Sequence, residues 1–217
     1  MEMFRKSYPN EYDVIVAGGG PAGIAAAVSA ARLGAKTALI ERYGILGGML
    51  TSGHVQPILG RAEGRTMYNE IVELLNEGHE DAPKMVTRNG AEIGLDLEEA
   101  KYRLLKLCVD NGVYVYLQTV VADVIKEENR ITGLKVCTPM GLTELKARVV
   151  VDSTGDGFVA ALAGAPFEMG RPGDGKCQPV TLEFTVDNVD ESRAIMCFGG
   201  SDPVTLPDGR KYSEFCK

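Results

Sequence analysis

The chain has 217 residues, with 23 Lys and Arg against 30 Asp and Glu, giving a formal net charge of −7. An apolar share of 45% and a charged share of 24% exclude disorder, collagen and coiled coil. An acidic balance argues against nucleic-acid binding, which needs a basic face to displace counterions. At about 150 residues per domain, this length allows roughly one and a half domains. No run reaches the roughly 18 apolar residues of a membrane span, and the opening MEMFRKSYPN lacks the apolar core of a signal peptide. The expectation is a cytoplasmic protein without membrane or nucleic-acid partners. Five cysteines lie far apart with no C-x-x-C, so no zinc or iron–sulfur ligand set is visible, no metal is expected, and reduced thiols are the simpler reading.

Residues 12–17 (YDVIVA) form a short β-branched apolar run that reads as a strand buried on both faces. A helix follows over 21–33, with Pro21 in its first turn, an alanine-rich interior and Gly34 at its end. Residues 36–41 (KTALIE) form a second buried strand, so the first 41 residues make a β-α-β unit. Residues 43–60 are too rich in glycine for a helix. Helical spacing returns over 66–76 through Met67, Ile71, Leu74 and Leu75, and 79–94 reads as a loop. Asp96 with Glu99 forms the pattern of a capping box before an amphipathic helix that ends near 111–112.

The period then becomes two. Strands are expected at 113–117, 120–127, 131–138 and 142–147, the last three forming an antiparallel meander. Residues 149–153 (VVVDS) return to the buried parallel type and lead into a short helix ending near Leu162. Alternation over 180–186 predicts a half-buried strand. The fold class is therefore α/β, a Rossmann-like parallel sheet interrupted by an antiparallel meander.

Gly18, Gly20 and Gly23 satisfy G-x-G-x-x-G between the first strand and the first helix. Gly18 permits the tight turn, Gly20 removes a side chain where a pyrophosphate must approach, and Gly23 lets the helix lie against the strand. Pro21, Ala22 and Gly23 open the helix, whose N-terminus offers free N–H groups to phosphates. Glu41 lies 18 residues after Gly23, where a carboxylate accepts hydrogen bonds from ribose hydroxyls. This unit serves NAD and FAD alike. Three features favour FAD: no third parallel strand follows promptly after Glu41, a meander precedes the next parallel strand, and that strand ends in the small residues Ser153-Thr154-Gly155-Asp156-Gly157. An NAD-dependent dehydrogenase is the weaker alternative.

The segments DVIVAGGGPAGIAAAVSAARLGAKTALIER, GILGGMLTSGHVQP, ITGLKV, VVDSTGDGFVAALAGAP and QPVTLEF, in that order, resemble the FAD-dependent oxidoreductases of the glutathione-reductase-like class. Within it the chain is most similar to the group containing the flavin subunit of heterodisulfide reductase. The resemblance implies FAD as cofactor, with Gly18, Gly20 and Gly23 at the pyrophosphate and Glu41 at the adenosine ribose. It implies Arg42 beside adenine, Gly47 and Gly48 close to pyrophosphate and flavin, and Val121 contacting adenine through its backbone. Thr154, Gly155 and Asp156 would line the adenosine and pyrophosphate side.

The implied activity is transfer of hydride or electrons from a small organic substrate to the flavin, a chemistry the cofactor carries largely by itself. Residues 43–53 contain no cysteine, which excludes a proximal redox dithiol. The implied organisation is an FAD-binding domain over 1–167 with a helical insertion at about 61–95, then the beginning of a substrate domain over 168–217. Relatives of this class close over the flavin with a later segment, so the chain is expected to be an N-terminal portion or truncated product. The strand at 180–186 would then present an open apolar edge and favour a homo-oligomer or a complementing segment. A catalytically incomplete nucleotide-binding subunit is the alternative reading.

His54, in the glycine-rich loop, is the one weak catalytic candidate because histidine titrates near neutrality; a loop histidine bonded to backbone is the plainer reading. Cys108 falls on an apolar helix face and reads as a core thiol. Asp152 ends a buried strand, where capping the following turn is at least as good a reading as a catalytic role.

Overall fold

The computed structural model describes residues 8–55, 58–59, 62–78, 86–87, 90–91, 96–180, 182 and 187–188. The chain divides into two compact units, Met1–Thr181 and Leu182–Lys217; the fold below is that of the first.

Its centre is β1 (Glu11–Ala17), in which Ile15, Val16 and Ala17 are wholly buried. The helix α1 (Pro21–Arg32) returns over the sheet to β2 (Thr37–Ile40), which pairs in parallel with β1. Gly34 ends the helix with φ +87°, a left-handed conformation that a Cβ disfavours. The helices α2 (Met67–Asn76) and α3 (Leu97–Asp110) precede β6 (Tyr114–Tyr116), which adds a parallel strand beside β2. Then come β7 (Val120–Glu127), β8 (Arg130–Thr138) and β9 (Gly141–Asp152), and finally α4 (Phe158–Ala163). The mixed six-stranded sheet has the order β6-β2-β1-β9-β8-β7.

Strand alternation sorts the core into two layers. Val16 and Leu39 point to one side and pack with Ile24 and Val28 of α1, Ile71 and Leu75 of α2, and Leu104 and Cys108 of α3. Ile15, Ala17, Ala38 and Ile40 point to the other side and pack with Val121, Val124, Leu134, Val136 and Leu145 of the meander. The result is α1–α3, parallel sheet and meander, stacked in that order, with α4 packing on the meander side through Val159.

Several sequence-based expectations change in detail. The segments 142–147 and 149–153 are one continuous twelve-residue strand. Its first half pairs antiparallel with β8 and its second half pairs parallel with β1, and Lys146 is common to both registers. Nothing between Leu142 and Asp152 is a glycine or proline that would break the strand. The crossover is instead accommodated on the partner: a Cβ on Gly133, opposite Lys146, would stand 2.3 Å from the Leu145 carbonyl oxygen.

The expected loop at 79–94 contains two short strands, β4 (Val86–Thr87) and β5 (Gly90–Ala91), which pair with each other, β5 pairing also with β3 (Ile58–Leu59); its remaining residues lie outside the described ones. Asp96 caps α3 through the Glu98 N–H at 2.8 Å, while Glu99 accepts hydrogen bonds from the Arg103 guanidinium, so the expected capping-box partner is engaged forward along the helix. Thr66 is the cap of α2 rather than its first residue. Val180 and Leu182, expected in a strand, lie outside any strand and are 98% and 87% exposed. No described strand offers 180 or 182 a ladder, and the rest of 180–186 lies outside the described residues.

A tyrosine cluster that no local pattern marks lies on the meander side of β1 and β6. The Tyr12 and Tyr116 hydroxyls are 2.6 Å apart, and Tyr116 also donates to the Pro9 carbonyl. The rings of Tyr8 and Tyr114 meet them edge-on. Desolvation comes first in raising the Tyr12 hydroxyl far above its ordinary value, followed by its bond to Tyr116.

Because Leu134 is fully buried between meander and sheet, Leu134→Ala is expected to cost about 2–5 kcal/mol. Urea unfolding should show a lowered midpoint with an unchanged slope.

Candidate functional site

At the carboxyl end of β1 three backbone segments converge. The Gly18 N–H donates to the Ile40 carbonyl at 2.8 Å, and Gly18 has φ +102°. A Cβ on Gly18 would stand 2.2 Å from the Ser153 carbonyl oxygen, and one on Gly23 only 1.8 Å from the Gly18 oxygen. These two glycines are required by the protein's own packing of β1, α1 and the exit of β9. Gly20 is different. It has ordinary extended geometry, and a Cβ there would meet nothing within 4 Å. The space before Gly20 is therefore open, as a ligand's approach requires.

Gly20 is also the N-cap of α1, with no side-chain acceptor, and Pro21 follows at the first helical position. The N–H groups of Ala22 and Gly23 begin the helix, where no intrahelical carbonyl can serve them. The chain thus leaves donors and a positive dipole end at an open position.

Glu41, just past β2, is only 5% exposed. Its Oε2 accepts the Gly19 N–H at 2.7 Å and its Oε1 accepts the Tyr43 N–H at 2.8 Å. Each carboxylate oxygen has two lone pairs, so both keep an acceptor position beyond these bonds. The carboxylate therefore fastens the glycine turn to the exit of β2. Gly19 is a residue that motif reasoning passed over: a Cβ there would come within 2.6 Å of Leu46 and 3.0 Å of Glu41. Its only signal in the sequence is being the middle glycine of three.

The backbone of Glu41 is held as well. Its N–H donates to the Tyr116 carbonyl at 2.8 Å, and its carbonyl accepts the Thr119 N–H at 2.9 Å. Thr119 leads directly into β7, which brings buried Val121 to this end of the sheet. Arg42 is exposed and its guanidinium lies over the Tyr43 ring, 4.8 Å from the centroid.

The glycine-rich segment after β2 is partly helical, with a 3-10 turn at Gly48–Leu50. Gly47 donates to the Gly19 carbonyl at 2.8 Å, and Gly47 and Gly48 have φ of +112° and +55°. A Cβ on Gly48 would lie 3.0 Å from the Gly20 Cα. This loop thus forms a second wall of the same opening. His54, further along it, is exposed at φ +56°, and its N–H donates to the Thr51 carbonyl.

At the exit of β9, Asp152 organises the turn. Its Oδ1 accepts the Thr154 N–H at 3.0 Å and the Thr154 hydroxyl at 2.7 Å, and its Oδ2 accepts the Ala160 N–H at 2.9 Å. Burial pushes the Asp152 carboxyl up, but the hydrogen bonds from Ala160, Thr154 and Val159 together outweigh it and leave its pKa below the ordinary 3.8. The Thr154 hydroxyl also accepts the Phe158 N–H at 2.8 Å, so its side chain is committed within the turn. Gly155, at φ +85°, has open space where a Cβ would go, and Asp156 is exposed beside it.

The structure therefore brings Gly18, Gly20, Pro21, Ala22, Gly23, Glu41, Gly47 and Gly48 together around one opening. Ser153 joins the Thr154-Gly155-Asp156 turn to it, and Thr119 joins Val121. Arg42, next to Glu41, and His54 are exposed. Cys108 is a core thiol, pushed by burial up to about 12. Among the described residues no helix is long and apolar enough to cross a membrane.

A family model described as FAD dependent oxidoreductase matches residues 13–212, and the chain belongs to that family. It is 32% identical over 158 residues to a digeranylgeranylglycerophospholipid reductase of Picrophilus torridus, a match covering 68% of this chain and 39% of that protein. It is 33% identical over 135 residues to a dihydrolipoyl dehydrogenase of Trypanosoma brucei brucei, covering 61% of this chain and 25% of that one. The chain thus spans well under half the length of these relatives. Among solved structures, the same fold is found in a geranylgeranyl bacteriochlorophyll reductase-like protein from Thermoplasma acidophilum (TM-score 0.52, 22% identity, 71% of this chain and 42% of that one). It is also found in THI4 of Thermovibrio ammonificans (TM-score 0.52, 24% identity, 70% and 61%).

Two outcomes follow from the packing alone. Without any ligand, Gly18→Ala should lose about 2–4 kcal/mol of unfolding free energy, from steric overlap and a disfavoured φ. Gly20→Ala should change it by no more than about 1 kcal/mol, the scale of an N-cap change; denaturant titration of both apo variants checks the contrast. Asp152 has a lowered folded pKa, so its contribution is complete above the ordinary value of 3.8 and is lost as pH falls through the folded one. Asp152→Asn should lose about 1–3 kcal/mol at pH 7 and show a shallower loss of stability below pH 4, measured by urea titration across pH.

Proposed function

We propose that the chain is the FAD-binding part of a flavoprotein oxidoreductase that oxidises or reduces a small organic substrate. The observation that carries this is the contrast among the motif glycines: protein fills the space at Gly18 and Gly23, whereas the space at Gly20 is open. In this reading the cofactor's pyrophosphate lies before Gly20, with Ala22 and Gly23 donating their N–H groups to it. Glu41 uses its remaining lone pairs to accept the ribose hydroxyls, and its negative charge disfavours a 2′-phosphate at that position. Val121 offers backbone to adenine, and Arg42 leaves Tyr43 to cover the ring. Gly47 and Gly48 admit the chain of the cofactor on the other wall, and Gly155 and Asp156 flank its adenosine and pyrophosphate side.

Bound there, FAD supplies the hydride- and electron-accepting chemistry. The protein's share is position and electrostatics. The α1 N-terminus compensates the phosphate charge, and His54, in the glycine-rich loop, is a weak candidate for proton transfer. The domain reading, 1–167 for the cofactor and 168–217 for the start of a substrate domain, accompanies this proposal. So do a cytoplasmic location and a place near the flavin subunit of heterodisulfide reductase, which the GILGGMLTSGHVQP and VVDSTGDGFVAALAGAP segments support. A second reading is favoured by the limited span of the relatives that the chain covers: it binds the nucleotide but turns over only with further polypeptide, supplied by a second chain or a complementing segment.

Reconstitution with FAD tests the proposal. The wild-type chain should retain flavin absorption through gel filtration. Gly20→Val should lose retention by at least about tenfold, because its side chain fills the open space. Its apo stability should stay within about 1 kcal/mol of wild type. Full FAD occupancy in Gly20→Val overturns the site assignment. Bound flavin without turnover would favour the second reading.

A further inference from the structure

Gln118 stands where β6 passes into β7, and no part of the nucleotide motif points to it. Its φ is +50°, in the left-handed region that glycine and asparagine enter readily and other residues enter at a cost. The described residues of this unit hold two other non-glycine residues there, His54 in the glycine-rich loop and Glu128 in the β7–β8 hairpin turn. Gln118 is in neither kind of setting. It belongs to the short link between a strand of the parallel sheet and a strand of the layer stacked upon it.

The hydrogen bonds around this link are directed at the exit of β2. The Gln118 N–H donates to the Tyr43 carbonyl at 2.9 Å, and the Thr119 N–H donates to the Glu41 carbonyl at 2.9 Å. The Glu41 N–H in turn donates to the Tyr116 carbonyl at 2.8 Å. Residues 41–43 are therefore clasped by residues 116–119 on both sides of Gln118. Thr119, the second member of the clasp, is only 2% exposed, and its hydroxyl donates to the Leu117 carbonyl across Gln118. The Gln118 side chain lies against Gly44, its amide nitrogen 3.6 Å from where a Cβ on that glycine would be.

We propose that Gln118 is a positioning residue for the adenosine half of the nucleotide. Its left-handed backbone turns the chain from β6 into β7 while holding Glu41, which faces the ribose, in fixed register with Val121, which faces the base. The inference rests on the cofactor reading above. An ordinary right-handed or extended residue at 118 would redirect the Thr119 N–H away from the Glu41 carbonyl. The carboxylate and the start of β7 would then no longer be tied, and the two halves of the adenosine site would move independently.

Two measurements on the apo chain and on its ADP complex test this. The variants are Gln118→Gly and Gln118→Asn, which tolerate a positive φ, and Gln118→Val, which resists it. Amide hydrogen exchange without ligand reads the clasp itself. Protection of Thr119 should fall about tenfold in Gln118→Val and hold within about twofold in the other two. Calorimetric titration with ADP reads the consequence. The affinity should fall about tenfold for Gln118→Val and be kept by glycine and asparagine, because backbone conformation rather than the amide group is what matters.

Wild-type ADP affinity in Gln118→Val overturns the inference, and so does an equal loss in Gln118→Gly. A wild-type chain that binds no ADP overturns the cofactor reading and the adenosine role together. The Thr119 exchange result still separates the two, because unchanged protection in Gln118→Val refutes the clasp without reference to any nucleotide.

Discussion

A buried carboxylate joins the segments that converge at the carboxyl end of the parallel sheet. Removing Glu41 from water is costly unless its charge is met by donors, and the protein meets it with two backbone N–H groups, from Gly19 and Tyr43. Neither donor is a side chain, so the carboxylate is tied to the path of the main chain. One bond fixes the glycine turn between β1 and α1, and the other fixes the exit of β2. The backbone bonds of Glu41 to Tyr116 and Thr119 extend the same tie to β6 and β7. A single residue thus sets the spacing among four segments that approach one opening.

The opening itself exists because close packing is selective about which glycine it uses. Gly18 and Gly23 let β1, α1 and the end of β9 come together at distances no side chain permits. That approach draws Ser153, and with it the turn organised by Asp152, against the base of the glycine turn. Gly20 lies beyond this contact and keeps its space. A sealed base and a free front thus lie side by side in one strand-to-helix turn.

The three layers depend on β9 as much as on β1. A single extended strand serves the meander with its first half and the parallel sheet with its second. The carboxyl end of β1 and the strand carrying Val121 are therefore connected through continuous β-structure as well as through the Thr119 link. This double use makes the meander an integral wall of the fold, with Leu134, Val136 and Leu145 completing the core on that face.

Much of this was legible in the residues. The β-α-β unit, the helix at 67–76, the cap at Asp96, the boundaries of β7 and the burial of Cys108 follow from periodicity and capping chemistry, which act over a few neighbouring residues. The glycine pattern with Glu41 also marked the turn and the strand end that the fold brings together, because that motif encodes one local turn and one strand end. What the sequence leaves undecided is long-range. Whether 142–152 is one strand or two depends on a partner that changes from β8 to β1 along its length. The union of Tyr12 with Tyr116 joins residues 104 positions apart, and no local pattern marks it. The different duties of Gly18 and Gly20 lie in what stands opposite each, namely the Ser153 carbonyl in one case and open space in the other. Local sequence sets the conformation each segment prefers; only the assembled tertiary structure decides which atoms those segments bring face to face.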